Sequence, residues 1–180
     1  VGEIRDQETA DLAIQASLTG HLVFSTLHTN DSAGALPRLL DMHMEPYLLA
    51  SSITCVVAQR VVRRVCQTCK EEYTPAAEVE QNIQEVLGKL YYPQAPGPLK
   101  LYRGKGCAQC NNTGYFSRVA IFEVLMVSEK IAKLILEHAA AAAINKQAVE
   151  EGMIGLKQDG YLKALEGTTT IEEVLRVAET

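Results

Sequence analysis

The chain has 180 residues, 47% of them hydrophobic and 22% charged, with a formal net charge of −5. That is length for one domain, or for a domain fragment with a small module, and enough apolar residues for a packed core. The acidic balance gives no reason to expect nucleic-acid binding, and no apolar run approaches the roughly 18 residues of a membrane helix, so any membrane association is expected to run through a partner protein.

The chain opens with Val1-Gly2-Glu3-Ile4-Arg5-Asp6. An acidic residue just beyond an apolar strand is where a nucleotide hydrolase holds magnesium or its attacking water. Asp6 predicts the N-cap of a helix over 7–18, with Ala10, Ile14 and Leu18 as its apolar stripe and Gly20 as its stop. Leu22-Val23-Phe24 follows, flanked by His21 and His28. The run is short, β-branched and aromatic, which predicts a strand buried on both faces of a parallel sheet. Residues 25–30, polar except Leu27, read as a ligand-sensing loop, because open α/β sheets bind ligands beyond the carboxyl ends of their strands. His28 suits equally the bland role of capping the next helix or satisfying a loop carbonyl.

Asn30 or Asp31 caps a second predicted helix, roughly 32–42, which Pro37 should kink or restart. Pro46 opens a third, running to about Cys55. Cys55 sits among apolar residues and is expected to be a small buried side chain. Residues 56–65 are β-branched and carry Arg60, Arg63 and Arg64, the pattern of a strand. The bland reading is an edge strand that uses its charge to discourage further pairing.

Cys66-Gln67-Thr68-Cys69 and Cys107-Ala108-Gln109-Cys110 form two C-x-x-C pairs, with 37 residues between Cys69 and Cys107. Each pair folds into a knuckle that aims two thiolates at one ion, and two knuckles supply the four soft ligands of tetrahedral Zn²⁺. Disulfides do not suit a cytosolic setting. A thioredoxin-like pair would occur once and would open a βαβ unit. A nucleic-acid-binding ribbon would carry more basic and aromatic residues nearby. Within the gap, Thr74-Pro75 opens a helix whose apolar face is Val79, Ile83, Val86, Leu87 and Leu90. A proline-rich loop at 92–98 and a short strand at 99–103 lead to the second knuckle.

Asn111-Asn112-Thr113-Gly114 is turn chemistry, and 115–127 a strand in which Arg118 and Glu123 are expected to be solvated or ion-paired. Ser128 caps a helix with Ile131, Leu134 and Ile135 on one face. Intrinsic propensity carries that helix on through the alanines at 139–143. Further helices are predicted over 144–151, stopped by Gly152, over 155–165, and from a capping box at Thr170-Ile171-Glu172-Glu173 to about Ala178.

Three stretches, VGEIRD, ETADLAIQASLTGHLVFSTLHTNDSAGALPRLLDM and SSITCVVAQRVVRRVC, resemble in order and spacing the ATPases that power type II secretion and type IV pilus assembly. LKQDGYLKALEGTTTIEEVLRV resembles that family's closing helices. The resemblance implies an α/β chain: residues 1–65 the C-terminal part of a RecA-like P-loop ATPase core, 66–110 a tetracysteine zinc-binding insertion, and 111–180 a mainly helical C-terminal subdomain. It places Glu3 on the family's Walker B glutamate and His21 and His28 in its histidine box. Glu3 and His28 would be catalytic, with Gly2, Glu3, His28, Gln59 and Arg60 around the nucleotide and Arg5 at an intersubunit contact. Cys66, Cys69, Cys107 and Cys110 would hold structural Zn²⁺. ATP and Mg²⁺ are implied, as are a homo-hexameric ring and docking on an inner-membrane platform protein and other secretion or pilus components. The location would be cytoplasmic, peripheral to the inner membrane. The family turns where the alanine run lies, against intrinsic propensity.

The phosphate loop G-x-x-x-x-G-K-[ST] does not occur in the sequence. In the family it precedes the position of Val1, so the chain reads as the C-terminal part of a longer ATPase and is expected to be inactive alone. The alternative is a zinc-stabilised interaction module, without activity of its own, that docks on membrane platform proteins. A zinc metalloenzyme built on His21 and His28 is disfavoured, because seven positions along a strand put them on opposite faces.

Overall fold

The computed structural model describes residues 1–91 and 98–178; six residues of the predicted proline-rich loop, 92–97, lie outside that set. The fold is mixed α/β. Its elements are α1 (Gln7–Leu18), α2 (Ala35–Asp41), α3 (Pro46–Ser52), β1 (Cys55–Val65), β2 (Lys70–Tyr73), α4 (Ala77–Leu87), β3 (Leu101–Gly104), β4 (Tyr115–Met126), α5 (Glu129–Leu136), α6 (Ala141–Glu150), α7 (Leu156–Leu165) and α8 (Ile171–Ala178). β1 pairs with β4, and β2 with β3. The chain forms two compact units that interleave in sequence: Val1–Ala58 with Glu123–Ile154, and Gln59–Phe122 with Gly155–Thr180.

The first unit is a helical cluster on one apolar core. Ala10 and Ile14 of α1, Leu36 of α2, Leu49 of α3, Ile131 and Ile135 of α5 and Ile144 of α6 are all buried in it. Each fully buried branched aliphatic side chain contributes about 1.5–3 kcal/mol relative to exposure. Asp6 caps α1 as expected, accepting from the Thr9 amide at 2.9 Å. Pro37 does not kink a helix. α2 starts at Ala35, so the proline falls in the first turn, where its missing N–H has no intrahelical partner to lose. Ser128 accepts from the Ile131 amide and starts α5.

Four further expectations are corrected in this unit. The alanine run does not continue α5. The Ala139 amide turns back to the Leu134 carbonyl and the His138 amide to Ile135, with His138 left-handed at φ 53°. That is a Schellman ending with histidine in the place glycine usually takes, and it lets Ala139 and Ala141 pack on the core. The run Leu22-Val23-Phe24 is not a strand buried on both faces: Leu22 is 82% and Phe24 76% exposed. Burial on two faces needs covering layers on both sides, and residues 1–5 are what lies alongside this run, through the Ile4 amide on the Thr26 carbonyl. Cys55 is exposed rather than buried. α3 ends at Ser52, and β1 alternation turns Cys55, Val57 and Val61 outward. Glu123 is buried rather than solvated, and accepts from the Ser32 amide at 3.0 Å and from its hydroxyl.

The second unit has its own core of Val62, Ile83, Leu87, Leu101, Ile121, Tyr161, Leu165 and Val174. α4 begins at Ala77, two residues beyond Pro75, without a side-chain cap. It docks on α7: the Tyr161 hydroxyl donates to Asn82 at 2.7 Å and the Gln158 amide group to the Val86 carbonyl at 3.0 Å. Gly160 lowers helix propensity, but it is where α7 meets α8. A Cβ there would lie 2.5 Å from a Val174 methyl, which only glycine avoids.

Glu173 ties α8 to β1. Thr170 receives the Glu173 amide, the first half of the expected capping box, but the Glu173 carboxylate takes other partners. It accepts from the Arg63 amide at 3.0 Å, the Arg63 guanidinium at 2.5 Å and the Arg176 guanidinium at 2.9 Å. Arg63 also stacks 4.2 Å above the Tyr115 ring. Glu173 is only 2% exposed. Burial alone would push its carboxyl up, but the Arg63 and Arg176 donors outweigh that and bring it down to about 2, from an ordinary 4.5. The folded-state value is depressed, so the stabilisation is full above about pH 4.5 and is lost as pH falls toward 2. It amounts to about 3 kcal/mol at neutral pH. Glu173→Gln should remove most of it and flatten the acid limb between pH 5 and 3 in urea unfolding. An unchanged acid limb would mean that the pair contributes nothing net.

Candidate functional sites

The first candidate site follows from extended backbone. In such segments alternate side chains face opposite ways. Ile4 and Leu27 pack against the core of the first unit. Their neighbours Glu3, Arg5, Thr26 and His28 are left at the surface. The Glu3 side chain is about three-quarters shielded; its Oε2 is hydrogen-bonded, whereas Oε1 has a close neighbour but no hydrogen bond among the described residues. Oε2 accepts from Arg5 Nε at 2.6 Å, and Oε1 lies 2.5 Å from His28 Nε2. Arg5 and His28 themselves stay open to solvent. A carboxylate and an imidazole this close can align or deprotonate a water, or exchange a proton.

Sequence-expected residues thus separate into groups. Glu3, Arg5 and His28 come together. Gly2 joins them through its carbonyl, which accepts the Thr26 hydroxyl at 2.9 Å. His21 does not; its Nδ1 sits at the end of α1, 3.1 Å from Thr19 Oγ1 and 3.2 Å from the Ala16 carbonyl. Gln59 and Arg60 lie on β1 in the other unit, Gln59 exposed and Arg60 half-buried. Thr26 is a contributor that sequence reasoning passed over within the polar run 25–30.

The second candidate site is the four-cysteine centre. All four Sγ atoms lie within 4.8 Å of one another. Cys66 to Cys107 and Cys69 to Cys110 are each 3.9 Å, and Cys107 to Cys110 is 3.7 Å. A Zn–S bond of about 2.3 Å makes the edge of a sulfur tetrahedron about 3.8 Å, which these three edges match, so the donor set suits zinc. Backbone amides point at the sulfurs: Gly106 at Cys69 (3.3 Å), Cys107 at Cys110 (3.2 Å) and Gly114 at Cys110 (3.3 Å). Such donors favour thiolate. Burial opposes ionisation of Cys110, but the Cys107 and Gly114 amides, helped by neighbouring thiols, bring it down to about 6. Burial pushes Cys69 up to about 12, and the other three sulfurs add to the rise. Metal binding requires the thiolate form and releases thiol protons.

The two knuckles are joined by backbone. β2 and β3 run antiparallel, with Lys70 opposite Gly104 and Tyr73 opposite Leu101. The Cys66 amide donates to the Gly114 carbonyl at 2.9 Å, and the Lys105 amide to the Cys69 carbonyl at 3.0 Å. Gly104 and Gly114 cross so closely that a Cβ on Gly104 would stand 2.1 Å from the Gly114 oxygen. No side chain fits there. The spacing Gly104-Lys105-Gly106-Cys107 was the available sequence signal for this crossing. Gly104→Ala should therefore pry the knuckles apart. Reaction of the metal-free thiols with a chromogenic disulfide should quicken at least tenfold; an unchanged rate would show that the crossing does not hold the cluster.

Residues 1–176 match the family described as type II/IV secretion system protein. The chain is 46% identical over 179 residues to the type II secretion system ATPase E of Vibrio cholerae, covering 99% of this chain and 34% of that protein. It is 42% identical over 175 residues to the type IV pilus assembly ATPase PilB of Myxococcus xanthus, covering 97% and 30%. The chain thus spans about a third of the length of these relatives. In fold it is similar to the Legionella pneumophila ATPase DotB, with a TM-score of 0.63, 21% identity, and coverage of 100% of this chain and 38% of that one. The pilus retraction motor PilT gives a TM-score of 0.61 at 22% identity, with coverage of 98% and 38%.

Proposed function

Since the chain belongs to the type II/IV secretion system protein family, we propose that it is the C-terminal part of an ATPase that drives type II protein secretion or type IV pilus assembly. The relatives that support this bear those names. The observation that carries it is the cluster of Glu3, His28 and Arg5, in which a shielded carboxylate accepts from Arg5 at one oxygen and has the His28 imidazole 2.5 Å from the other. Phosphoryl transfer asks mainly for positioning and charge stabilisation. Glu3 would orient the attacking water and accept its proton, or hold Mg²⁺ through water. His28 Nε2, on Glu3 in this state, would turn to the terminal phosphate of ATP. Gly2 is a proposed nucleotide contact beside them, Gln59 and Arg60 are proposed nucleotide contacts on the second unit, and Arg5 remains a candidate intersubunit contact. Among the described residues no helix is long and apolar enough to cross a membrane. The working enzyme is proposed to be a homo-hexamer on the cytoplasmic side, held to the inner membrane by a platform protein and other machinery components, with no nucleic-acid partner. The parts proposed for it are residues 1–65 in the ATPase core, 66–110 as the zinc insertion and 111–180 as the closing subdomain.

In the full-length protein Glu3→Gln should lower ATP turnover by orders of magnitude and leave nucleotide affinity within a few-fold, since it removes the base and little ground-state binding. In the same assay His28→Ala should cost more than His21→Ala, because His21 is engaged at the end of α1. The 180-residue chain alone should turn over no ATP. Equal loss of binding and rate in Glu3→Gln would make Glu3 structural and sink the reading.

Cys66, Cys69, Cys107 and Cys110 are proposed to bind one Zn²⁺. Four thiolates close the coordination shell, so the metal supplies cross-linking and no activated water. Elemental analysis of the reduced protein should give one zinc per chain. Cys66→Ser should lose it and loosen residues 66–110 to protease, whereas Cys55→Ser, at the exposed start of β1, should retain it. A chain without zinc, or zinc lost only from the Cys55 variant, would refute the assignment.

A further inference from the structure

A carboxylate that directs water must be held to within a fraction of an ångström, since a misplacement of about 1 Å can cost on the order of a hundredfold in rate. Arg5 and His28 meet the Glu3 side chain at its carboxylate oxygens. The backbone that carries Glu3 is held differently. Residues 2 and 4, on either side of it, both bond to one residue. The Ile4 amide donates to the Thr26 carbonyl at 2.9 Å. The Thr26 hydroxyl donates to the Gly2 carbonyl at 2.9 Å. Thr26 is itself anchored by its neighbour Leu27, which packs on the core of the first unit together with Ile4. His28, two residues on, leaves the backbone on the same face as Thr26.

We propose that Thr26 is a positioning residue for Glu3: its main chain and side chain together clamp the peptide groups flanking the carboxylate and hold His28 in register with it. The inference rests on the reading of Glu3 as the water-directing group. The carbonyl half of the clamp is available to any residue. The hydroxyl half selects threonine or serine, and it is the half that fixes the Gly2–Glu3 peptide. Both groups sit at the surface, where water replaces a lost hydrogen bond, so removing the hydroxyl should scarcely alter folding. Its effect should fall on geometry, and so on turnover more than on binding.

The test compares Thr26→Val, which keeps the shape and loses the donor, with Thr26→Ser, which keeps the donor, beside Glu3→Gln in the full-length ATPase. Thr26→Val is expected to lower kcat about tenfold with KM for ATP within twofold, and Thr26→Ser to keep at least half of the kcat. In the 180-residue chain the carbonyl carbon resonance of Gly2 should shift in Thr26→Val and stay in place in Thr26→Ser, while the methyl resonances of Leu36 and Ile131 remain fixed in both. Full kcat in Thr26→Val, a serine variant as poor as the valine one, or KM rising in step with the fall in kcat would overturn the proposal while leaving Glu3 in its role. Should Glu3→Gln itself turn over normally, the catalytic reading of Glu3 fails, and this inference with it.

Discussion

The surface chemistry of the first unit depends on one local constraint, the side-by-side seating of residues 1–5 and 22–28. Glu3 and His28 are 25 positions apart, and neither is fixed by its own neighbours in sequence. They meet because Ile4 and Leu27 are drawn into one core and a backbone hydrogen bond from Ile4 to Thr26 sets the register. A shift of one residue in either segment would turn the polar set inward and the apolar set outward. The core formed by α1, α2, α3, α5 and α6 thus acts at a distance. Burial of aliphatic side chains with no chemistry of their own decides which polar side chains can react together.

The second unit meets a different difficulty. Its two knuckles are separated by a long excursion, and closing a loop of that length is entropically unfavourable. Three devices offset this cost. α4 packs its Ile83–Leu87 face into the core and bonds α7 through Asn82 and Val86. β2 and β3 pair in a fixed register, with Glu71 held by Arg103 at 2.8 Å and Lys105 at 2.7 Å. The Gly104–Gly114 crossing lies beside the cluster whose four sulfurs are within 4.8 Å of one another. These contacts gather the four cysteines, and a metal would cross-link them. Glu173 completes the unit from the other end of the sequence. A buried carboxylate with two guanidiniums and an amide is specific as well as stabilising, because any other seating of α8 would leave that charge buried without partners.

Helix ends show where sequence reading succeeds and where it does not. α1, α6 and α7 each close with a residue of positive φ that is glycine, at Gly20, Gly152 and Gly167, and the first two were legible as stops. α2 and α5 close with the same hydrogen-bond pattern, but the left-handed residue is His43 or His138. Histidine has no preference strong enough to mark such a position. There the burial of Met44 and the packing of Ala139 on the core decide the stop, and neither is visible in local composition. The same holds for Glu173. Its place in a capping box was legible and its amide donates the cap bond to Thr170, but its carboxylate goes to Arg63, 110 residues away.

By itself the sequence determined most helices and the strands β1 and β4, because hydrophobic periodicity, caps and proline positions are local signals. It also determined the four cysteines as one set, because C-x-x-C spacing is a statement about knuckle geometry. The family resemblance rested on motif order, and comparison bears it out over residues 1–176. Only the tertiary structure decided that Leu22 and Phe24 lie open, that Cys55 faces outward, that Glu123 is buried against Ser32, and that Thr26 brackets Glu3. In each case the local pattern allowed two environments. The choice fell to which segments lay alongside, and thus to contacts between residues far apart in the chain.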